Sequence, residues 1–320
     1  MSVLFVSQNP FERAENIRCV YEAFDGEKEF RTGHEHMTWA EYEGFDVVVC
    51  DTLPWYIEGK DRCKVVNVCH AITGNKHYGL DEDGDWVNPA ALAQTDYAIA
   101  ASVDSVPLVA RQLGIPMHRV KATGIPRTDA YAGKKKGDGK TPLAWKRAYL
   151  YVPTYRDPGK GGWIPRIDWE KVDSLLKDGE LFVVKRHYFT EEPLVDGDYA
   201  HVAEIPPMEP VGRYLIDCDA LLTDYSSIEF DGYLLSKPAV LTVDDVDDYL
   251  RDRGMYHPYP EFYSSRWIRA EGNEQELVDM MREAAANGLN GTERECIRTL
   301  AGMCDGHATE RVCELIRSIV

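Results

Sequence analysis

Short apolar runs alternate with helix-like stretches along the chain, and no other feature of the sequence restricts the fold as strongly. The runs are rich in Val and Ile and are bounded by turn residues, which is typical of strands buried on both faces of a parallel sheet. Such alternation predicts a parallel α/β fold. In the first half we predict strands at residues 3–6, 46–50, 64–69, 97–101 and 119–122, and helices within residues 10–24, 38–43, 89–94 and 104–113.

A segment rich in Gly and Lys interrupts the alternation after residue 131, and we interpret it as a solvated linker. With 320 residues, the chain has the length of two domains of about 100–200 residues each. We therefore predict an N-terminal domain at residues 1–131, a linker at 132–144, a C-terminal domain at 145–305 and a final helix at 306–320.

The second half repeats the alternation, so the simplest architecture is two α/β domains that face a cleft. Ligands of open α/β sheets sit at the carboxyl ends of the strands, and residues just after strands are therefore the candidates for chemistry. Here we predict strands at residues 148–153, 181–185, 220–223 and 239–242, and helices at 169–176, 226–235, 274–287 and 309–319.

Charge and composition exclude several function classes. With 36 Lys and Arg against 54 Asp and Glu, the net charge is −18, which argues against nucleic-acid binding through a general basic surface and against bulk adhesion to anionic lipid. The eight cysteines form no Cys-x-x-Cys pair and fit buried, reduced thiols of a cytosolic enzyme. We find no targeting signal, and no apolar stretch approaches the roughly 18–20 residues of a spanning helix.

Metal binding is not expected. His34-Glu35-His36 lacks a third ligand nearby, and the acidic runs at residues 81–85 and 244–248 have the composition of solvated loops.

Two candidate segments follow predicted strands of the first half. His70 comes directly after an apolar run, where it could act as a general base or as a hydrogen-bonded structural histidine. Arg127 and Asp129 follow the Gly-x-Pro turn at residues 124–126, and a local ion pair is as good an interpretation as a functional role.

Three further segments follow strands of the second half. Arg156 carries a guanidinium that matches phosphate bidentately, and Lys185 with His187 would supply local positive charge, unless they form an ordinary surface patch. Ser226 and Ser227 lie at the start of the helix predicted at residues 226–235, whose free N–H groups and dipole favour an anion. Ser226 and Glu229 have the spacing of a capping box, which could also bind nothing.

Taken together, these segments resemble the CDP-glycerol glycerophosphotransferase family of teichoic-acid primases and polymerases. That family shows His-Gly-x-x-x-Lys, Thr-Gly-x-Pro-Arg-x-Asp, Pro-Thr-x-Arg, Lys-x-His-Pro and Thr-Asp-Tyr-Ser-Ser-x-x-x-Asp, in this order. The chain departs from it with Ala71 after the first histidine, with Lys76 one residue late, and with Tyr188 in place of proline. The matching positions are His70 with Lys76, residues 123–129, residues 153–156, Lys185 with His187, and residues 223–231.

The resemblance implies a GT-B fold, in which two Rossmann-like domains with parallel sheets face a cleft and the final helix crosses back to the first domain. It implies an N-terminal acceptor domain and a C-terminal CDP-donor domain. It also implies transfer of glycerol phosphate from CDP-glycerol to a hydroxyl on a teichoic-acid-like or other lipid-linked cell-surface glycan precursor, with release of CMP.

The resemblance also assigns expected roles to individual residues. His70 would be the base and His187 would bind or protonate the pyrophosphate. The CDP-activated donor and its phosphates would be bound by Arg156, Lys185, Thr223, Asp224, Ser226 and Ser227, and further candidates are Thr154, Lys76, Arg127, Asp129 and Asp231.

No cofactor is expected to be required, although a loosely bound Mg²⁺ would be compatible with the pyrophosphate. We expect a cytoplasmic protein with peripheral contact to the inner face of the cell membrane and no nucleic-acid partner. The alternatives are a GT-B glycosyltransferase that uses CDP-ribitol or a UDP-sugar, a sugar-nucleotide 2-epimerase, and a non-catalytic binding protein.

Overall fold

The computed structural model describes residues 1–32, 36–37, 44–51, 56–57, 63–69, 76–77, 94–142, 145–156 and 163–320. The chain divides into two compact units. The first comprises Met1–Ala132 together with Arg298–Val320, and the second comprises Gly133–Ile297.

The elements of the first unit are β1 (Ser2–Ser7), α1 (Glu15–Ala23), β2 (Glu27–Thr32), β3 (His36–Met37), β4 (Val47–Cys50), β5 (Tyr56–Ile57), β6 (Lys64–Asn67), β7 (Tyr97–Ala100), α2 (Val106–Leu113), a 3₁₀ turn (Met117–Arg119), β8 (Val120–Ala122) and a 3₁₀ segment (Pro126–Tyr131). Six of the strands form one sheet in the order β2-β1-β4-β6-β7-β8, in which every neighbouring pair is parallel. This confirms the prediction of a parallel α/β fold. A short parallel pair, β3 with β5, lies apart from the sheet.

One strand of this sheet was not predicted from the sequence. β2 pairs with β1 along its whole length but lies at the sheet edge, and its side chains are partly or fully exposed. Edge strands are typically rich in charged residues because one side faces water. β2 therefore lacks the apolar run from which the other strands were predicted. The helix predicted at residues 38–43 lies outside the described residues, as does the one at 89–94 except for Gln94.

The elements of the second unit are β9 (Arg147–Val152), α3 (Trp169–Leu175), β10 (Glu180–Val184), β11 (Val202–Glu204), α4 (Val211–Asp217), β12 (Ala220–Thr223), α5 (Ile228–Leu234), β13 (Ala239–Thr242), α6 (Val246–Arg253), β14 (Trp267–Ile268) and α7 (Glu274–Asn287). The next helix, α8 (Gly291–Ala301), begins in the second unit and ends in the first, because the units divide between Ile297 and Arg298. The second unit contains a second six-stranded sheet, in the order β11-β10-β9-β12-β13-β14, again parallel throughout. The predicted bounds of β12, β13 and α7 agree with the structure to the residue, whereas β11, β14, α4, α6 and α8 were not predicted.

The last helix, α9 (Ala308–Ser318), belongs to the first unit, where it packs against α1 and the 3₁₀ segment Pro126–Tyr131. Asp129 accepts hydrogen bonds from the N–H groups of Ala308 (3.0 Å) and Thr309 (2.7 Å). These N–H groups have no partner inside the helix, so Asp129 stabilises the start of α9.

Part of the segment that we interpreted as a linker is held on the second unit. The Asp217 carboxylate accepts hydrogen bonds from the N–H groups of Gly137 and Gly139 and from both the N–H and hydroxyl of Thr141. Burial raises the pKa of Asp217, but these hydrogen bonds lower it overall. Lys136 also pairs with Asp219 at 2.6 Å, so the segment is only partly solvated.

The carboxylate of Glu180 on β10 makes stability depend on pH. It accepts hydrogen bonds from Arg282 (2.6 Å) and from the Tyr149 hydroxyl (2.9 Å). Burial would raise its pKa, but hydrogen bonds from Arg282, Lys177 and Tyr149 lower the pKa from 4.5 to about 2. A lowered folded-state pKa stabilises the fold above pH 4.5, and this contribution is lost as the pH falls toward 2.

We therefore expect Glu180→Gln to lower the melting temperature at pH 7, and the difference from wild type to shrink as the pH falls from 4.5 to 2. Thermal unfolding of both proteins across this pH range measures the effect. Asp279→Asn is the matched control, because Asp279 pairs with the same Arg282 at 3.4 Å but is largely exposed. If Glu180→Gln lowers the melting temperature by the same amount at every pH, the expectation is contradicted.

Candidate active site

The carboxyl ends of four adjacent strands lie at one edge of the second sheet. β10, β9, β12 and β13 are neighbours in this order and run parallel, so the residues that follow them are brought together. The edge therefore collects the predicted candidates of the second half, together with two carboxylates that the sequence analysis had assigned to a solvated loop. The residues are Lys185 and His187 after β10, Thr154 and Arg156 after β9, Asp224, Ser226 and Ser227 after β12, and Asp244 and Asp245 after β13.

Arg156 is the centre of a buried ion network at this edge. Its guanidinium lies 2.9 Å from the Asp224 carboxylate and 2.7 Å from that of Asp245, and it donates to the Thr154 carbonyl at 2.7 Å. Asp224 is fully buried and also accepts the Thr154 N–H at 2.8 Å. Burial would lower the pKa of Arg156, but the two carboxylates raise it well above its ordinary value.

These contacts limit what Arg156 can do for a ligand. The guanidinium has five N–H donors. Four of them donate to protein groups: Nε–H to Asp245, one Nη1–H to the Thr154 carbonyl, and the two Nη2–H groups to Asp224 and Asp245. These contacts leave one N–H of Nη1 for a ligand. The predicted phosphate contact of Arg156 stays a prediction. The role that the structure shows is to join the ends of β9, β12 and β13.

Two tyrosines cover the network, and neither was proposed as a site residue from the sequence, although Tyr225 lies within the motif segment 223–231. The rings of Tyr225 and Tyr249 stack at 3.7 Å, and the Arg156 guanidinium lies 5.2 Å from each ring centroid. The Tyr225 hydroxyl donates to Asp245 at 2.8 Å. Aromatic faces next to a guanidinium stabilise its charge and exclude water from the ion pairs.

The solvated-loop interpretation of residues 244–248 was wrong for Asp244 and Asp245. They are 8% and 4% exposed. Asp245 binds Arg156, Tyr225 and the N–H of Trp163, while Asp244 accepts the N–H groups of Ala270 and Glu271. Their partners lie far away in the sequence, but one signal was available, because both residues lie within three positions of the end of a predicted strand.

Lys185 and His187 extend the same edge beyond β10. Lys185 is buried, and its ammonium donates to the carbonyls of Pro207 (2.5 Å) and Arg186 (3.3 Å). Burial is the main cause that lowers its pKa. His187 lies among aromatic rings, 4.4 Å from Tyr188 and 5.4 Å from Tyr155. The structure thus places a buried cation and a half-buried imidazole beside the Arg156 network.

The serines after β12 are arranged differently from the predicted capping box. The N-cap of α5 is Ser227 and not Ser226, and its side chain makes no capping hydrogen bond. The Ser226 hydroxyl accepts the Ile228 N–H at 3.3 Å. Glu229 and Asp231 on the same helix are buried, and the Thr223 hydroxyl donates to the Val152 carbonyl at 2.6 Å.

In the first unit, His70 lies outside the described residues, but the chain that leads to it is described. Asn16 on α1 donates to the carbonyls of Val68 (3.2 Å) and Cys69 (2.6 Å) and accepts the Arg127 N–H at 3.0 Å. This buried amide, which sequence reasoning missed, joins the two motif segments of the first unit. Its sequence context gave no signal for this role.

The other candidates of the first unit are placed as follows. Arg127 lies 3.9 Å from the Glu15 carboxylate, whereas Asp129 caps α9 as described above. The Lys76 carbonyl accepts from Gln112 at 2.9 Å. His34, Glu35 and the acidic run 81–85 lie outside the described residues. Elsewhere in the described part of the chain, no three His, Cys, Asp or Glu side chains are grouped to hold a metal ion.

A family model for CDP-glycerol:poly(glycerophosphate) glycerophosphotransferase matches residues 25–318. The chain belongs to this family. The match confirms that the motif segments resemble this glycerophosphotransferase family.

Similar curated proteins come from teichoic-acid synthesis. The chain is 29% identical to the poly(ribitol-phosphate) polymerase of Bacillus spizizenii over 80% of its own length and 44% of that protein. It is 28% identical to the ribitol-phosphate polymerase TarL of Staphylococcus aureus over 65% of itself and 40% of the relative. It is 25% identical to the glycerol-phosphate primase of Bacillus subtilis over 70% of itself and 63% of that protein. The chain thus spans about half the length of such relatives.

Solved structures confirm the GT-B fold predicted for this member of the glycerophosphotransferase family. A structure of the wall teichoic acid polymerase TagF has a TM-score of 0.78 at 19% identity, covering 99% of this chain and 88% of that one. A UDP-GlcNAc 2-epimerase of Methanocaldococcus jannaschii reaches 0.58 at 12% identity, covering 99% of both chains. No helix among the described residues is both long and apolar enough to cross a membrane.

Proposed function

We propose that this chain transfers glycerol phosphate from CDP-glycerol to a hydroxyl on a teichoic-acid-like or other lipid-linked cell-surface glycan precursor, and releases CMP. The observation that carries the proposal is the family match over residues 25–318, which includes all the motif segments. The adjacent strand ends of the second unit support it, because they gather a cation, an imidazole and hydroxyl groups of the kind that bind phosphate.

The reaction is a displacement at phosphorus. The acceptor oxygen forms a bond to the β-phosphorus of CDP-glycerol, the bond from that phosphorus to the bridging oxygen breaks, and CMP leaves with the electron pair. The C–O bond of glycerol stays intact. The acceptor proton passes to His70, whose imidazole is suited to a general base near neutral pH.

Charge that develops on the phosphates is stabilised by groups of the second unit. Lys185, His187, Ser226 and Ser227 supply donors. Thr154 also fits this role, because its buried hydroxyl has no hydrogen-bond partner among the residues that the structure describes. No cofactor is required in this scheme, and a loosely bound Mg²⁺ at the pyrophosphate is compatible with it.

A second candidate function differs from the first in the polyol that the donor carries. Two of the similar proteins are ribitol-phosphate polymerases, so CDP-ribitol is the alternative donor. We therefore expect a panel of CDP-glycerol, CDP-ribitol and UDP-sugars with lipid-linked acceptors to show consumption of a CDP-polyol, read by mass spectrometry of the product. Consumption of a UDP-sugar alone, with or without acceptor, would contradict the proposal.

Replacement of His70 by alanine should lower the transfer rate by about 10²–10⁴-fold, because the acceptor hydroxyl loses its general base. CMP release and product formation from CDP-glycerol measure the effect. His118→Ala is the matched control, since His118 is an exposed histidine of the first unit outside the motif segments. Near-wild-type transfer by His70→Ala would remove the base assignment.

The double variant Ser226→Ala/Ser227→Ala should weaken donor binding by about tenfold or more, because two hydroxyl contacts to the phosphates are lost, each worth about 1 kcal/mol. Calorimetric titration with CDP-glycerol measures it. Ser174→Ala is the control, because Ser174 is an exposed serine on α3 whose hydroxyl donates to the Lys171 carbonyl. Unchanged affinity in the double variant would show that these serines do not bind the phosphates.

The place of action follows from the acceptor. A lipid-linked acceptor requires work at the inner face of the cell membrane, so we propose a cytoplasmic protein with peripheral membrane contact. Because the net charge is −18, that contact would have to be local and not a general attraction to anionic lipid.

A further inference from the structure

We propose that the backbone N–H of Phe189 selects the tautomer of neutral His187 that carries its proton on Nε2, so that this imidazole donates a hydrogen bond to the donor substrate. The Phe189 N–H lies against His187 Nδ1 at an N···N distance of 3.3 Å. A neutral imidazole has one protonated and one unprotonated nitrogen. Because Nδ1 accepts the Phe189 N–H, it is the unprotonated nitrogen, and the proton lies on Nε2.

The turn after β10 presents this N–H to the ring. The Thr190 N–H donates to the His187 carbonyl at 2.9 Å, which closes a four-residue turn. Upstream, the Lys185 N–H donates to the Tyr151 carbonyl at 2.8 Å and fixes the end of β10 against β9. The turn is therefore anchored in the sheet.

Aromatic neighbours hold the plane of the His187 ring. Tyr188 stacks on it with centroids 4.4 Å apart and planes at 26°, and Tyr155 lies 5.4 Å away at 33°. Phe189 contacts it at 5.3 Å. Tyr188 occupies the position where the family motif has proline, which has no aromatic ring to contribute to such a stack. The tyrosine thus limits rotation of a ring whose orientation decides which nitrogen meets the Phe189 N–H.

The tautomer decides the chemistry open to His187. An Nε2–H can donate to a phosphate oxygen on which charge develops, but Nε2 cannot then accept a proton from an acceptor hydroxyl. The two motif histidines would divide the work, with His187 as donor and His70 as base. The identity of the phosphate ligand rests on the function proposed above, whereas the tautomer does not.

Nuclear magnetic resonance tests the tautomer without any substrate. The full chain, labelled with ¹⁵N-histidine, is measured at a pH where histidine is neutral, and His187 is assigned by the signals missing from His187→Gln. We expect an unprotonated Nδ1 and a protonated Nε2. A protonated Nδ1 would overturn the proposal. Lack of turnover with CDP-polyols would instead overturn the proposed function and leave this measurement standing.

Two variants of residue 189 test the cause. Phe189→Ala keeps the N–H and should keep the Nε2–H pattern, whereas Phe189→Pro removes the N–H and should shift the ring toward the Nδ1–H tautomer. Because proline could disturb the turn, phenyllactate at position 189 serves as a second variant that replaces only the amide N–H by an ester oxygen. If the ester protein retains the wild-type tautomer, Phe189 does not select it.

Tyr188 is tested separately for its part in holding the ring. Tyr188→Phe keeps the stacked ring and should leave the ¹⁵N pattern of wild type, while Tyr188→Pro should give averaged shifts of a mobile ring. Wild-type shifts in Tyr188→Pro would show that stacking does not hold His187.

Discussion

Replacement of Arg156 by methionine should lower the free energy of unfolding by about 3–5 kcal/mol, because it leaves two buried carboxylates without their cation. Asp224 is fully buried and Asp245 is 4% exposed, and the guanidinium lies within 3 Å of both. Methionine retains most of the volume, so the loss reports charge and hydrogen bonds more than a cavity. Chemical denaturation of the purified protein measures it.

The matched control is Arg251→Met. Arg251 also contacts two aspartates, Asp248 (2.8 Å) and Asp252 (3.2 Å), but its side chain is 62% exposed. An exposed pair contributes about 0–1 kcal/mol, so this variant should be nearly as stable as wild type. In addition, Asp245→Asn should recover part of the loss in the Arg156→Met background, because it removes one of the two uncompensated charges.

The same variant separates two roles for Arg156. If the main role of Arg156 is to hold the ion network together, Arg156→Met should lower the stability of the protein. Donor affinity should then fall only indirectly, because the strand ends are disturbed. A protein of wild-type stability with greatly weakened binding of CDP-glycerol would instead favour the phosphate contact expected from the motif.

The ion network also shows which parts of the structure the sequence could reveal. The position of Arg156 after a strand was predictable, because the run of apolar residues that forms β9 can be recognised in a single sequence. Its partners were not, since Asp224 and Asp245 are 68 and 89 residues away and only the strand order brings them together. Asp245 was misassigned because an acidic run resembles a solvated loop when its cation is distant in sequence.

The same reason explains the other differences. Residues 137–141 look like a flexible linker until Asp217, 76–80 residues later, provides four hydrogen bonds to them. Asn16 carries no motif, and its role depends on carbonyls 52 and 53 residues away. Periodicity and turn chemistry thus locate buried elements and strand ends, whereas long-range pairing of polar groups decides what each strand end does.

Gly124, in the motif segment after β8, should not tolerate a side chain. Its φ of +82° is in the left-handed region, and an added Cβ would lie well inside van der Waals contact with the Met303 carbonyl oxygen and 2.9 Å from Ala308 Cβ. Arg311 holds that carbonyl at 3.0 Å and also donates to the Thr123 carbonyl at 2.9 Å, so the obstacle is fixed backbone.

Gly124→Ala should therefore lower the free energy of unfolding by about 2–5 kcal/mol, from left-handed strain and overpacking together. Gly133→Ala is the matched control, because φ at Gly133 is also positive, at +73°. Apart from the two chain neighbours of Gly133, no atom of the described residues lies within 4 Å of an added Cβ there. This variant should lose only about 1–2 kcal/mol, the strain alone. Equal losses in the two variants, measured by thermal and chemical unfolding, would mean that backbone conformation and not the approach of Met303 requires glycine in this motif.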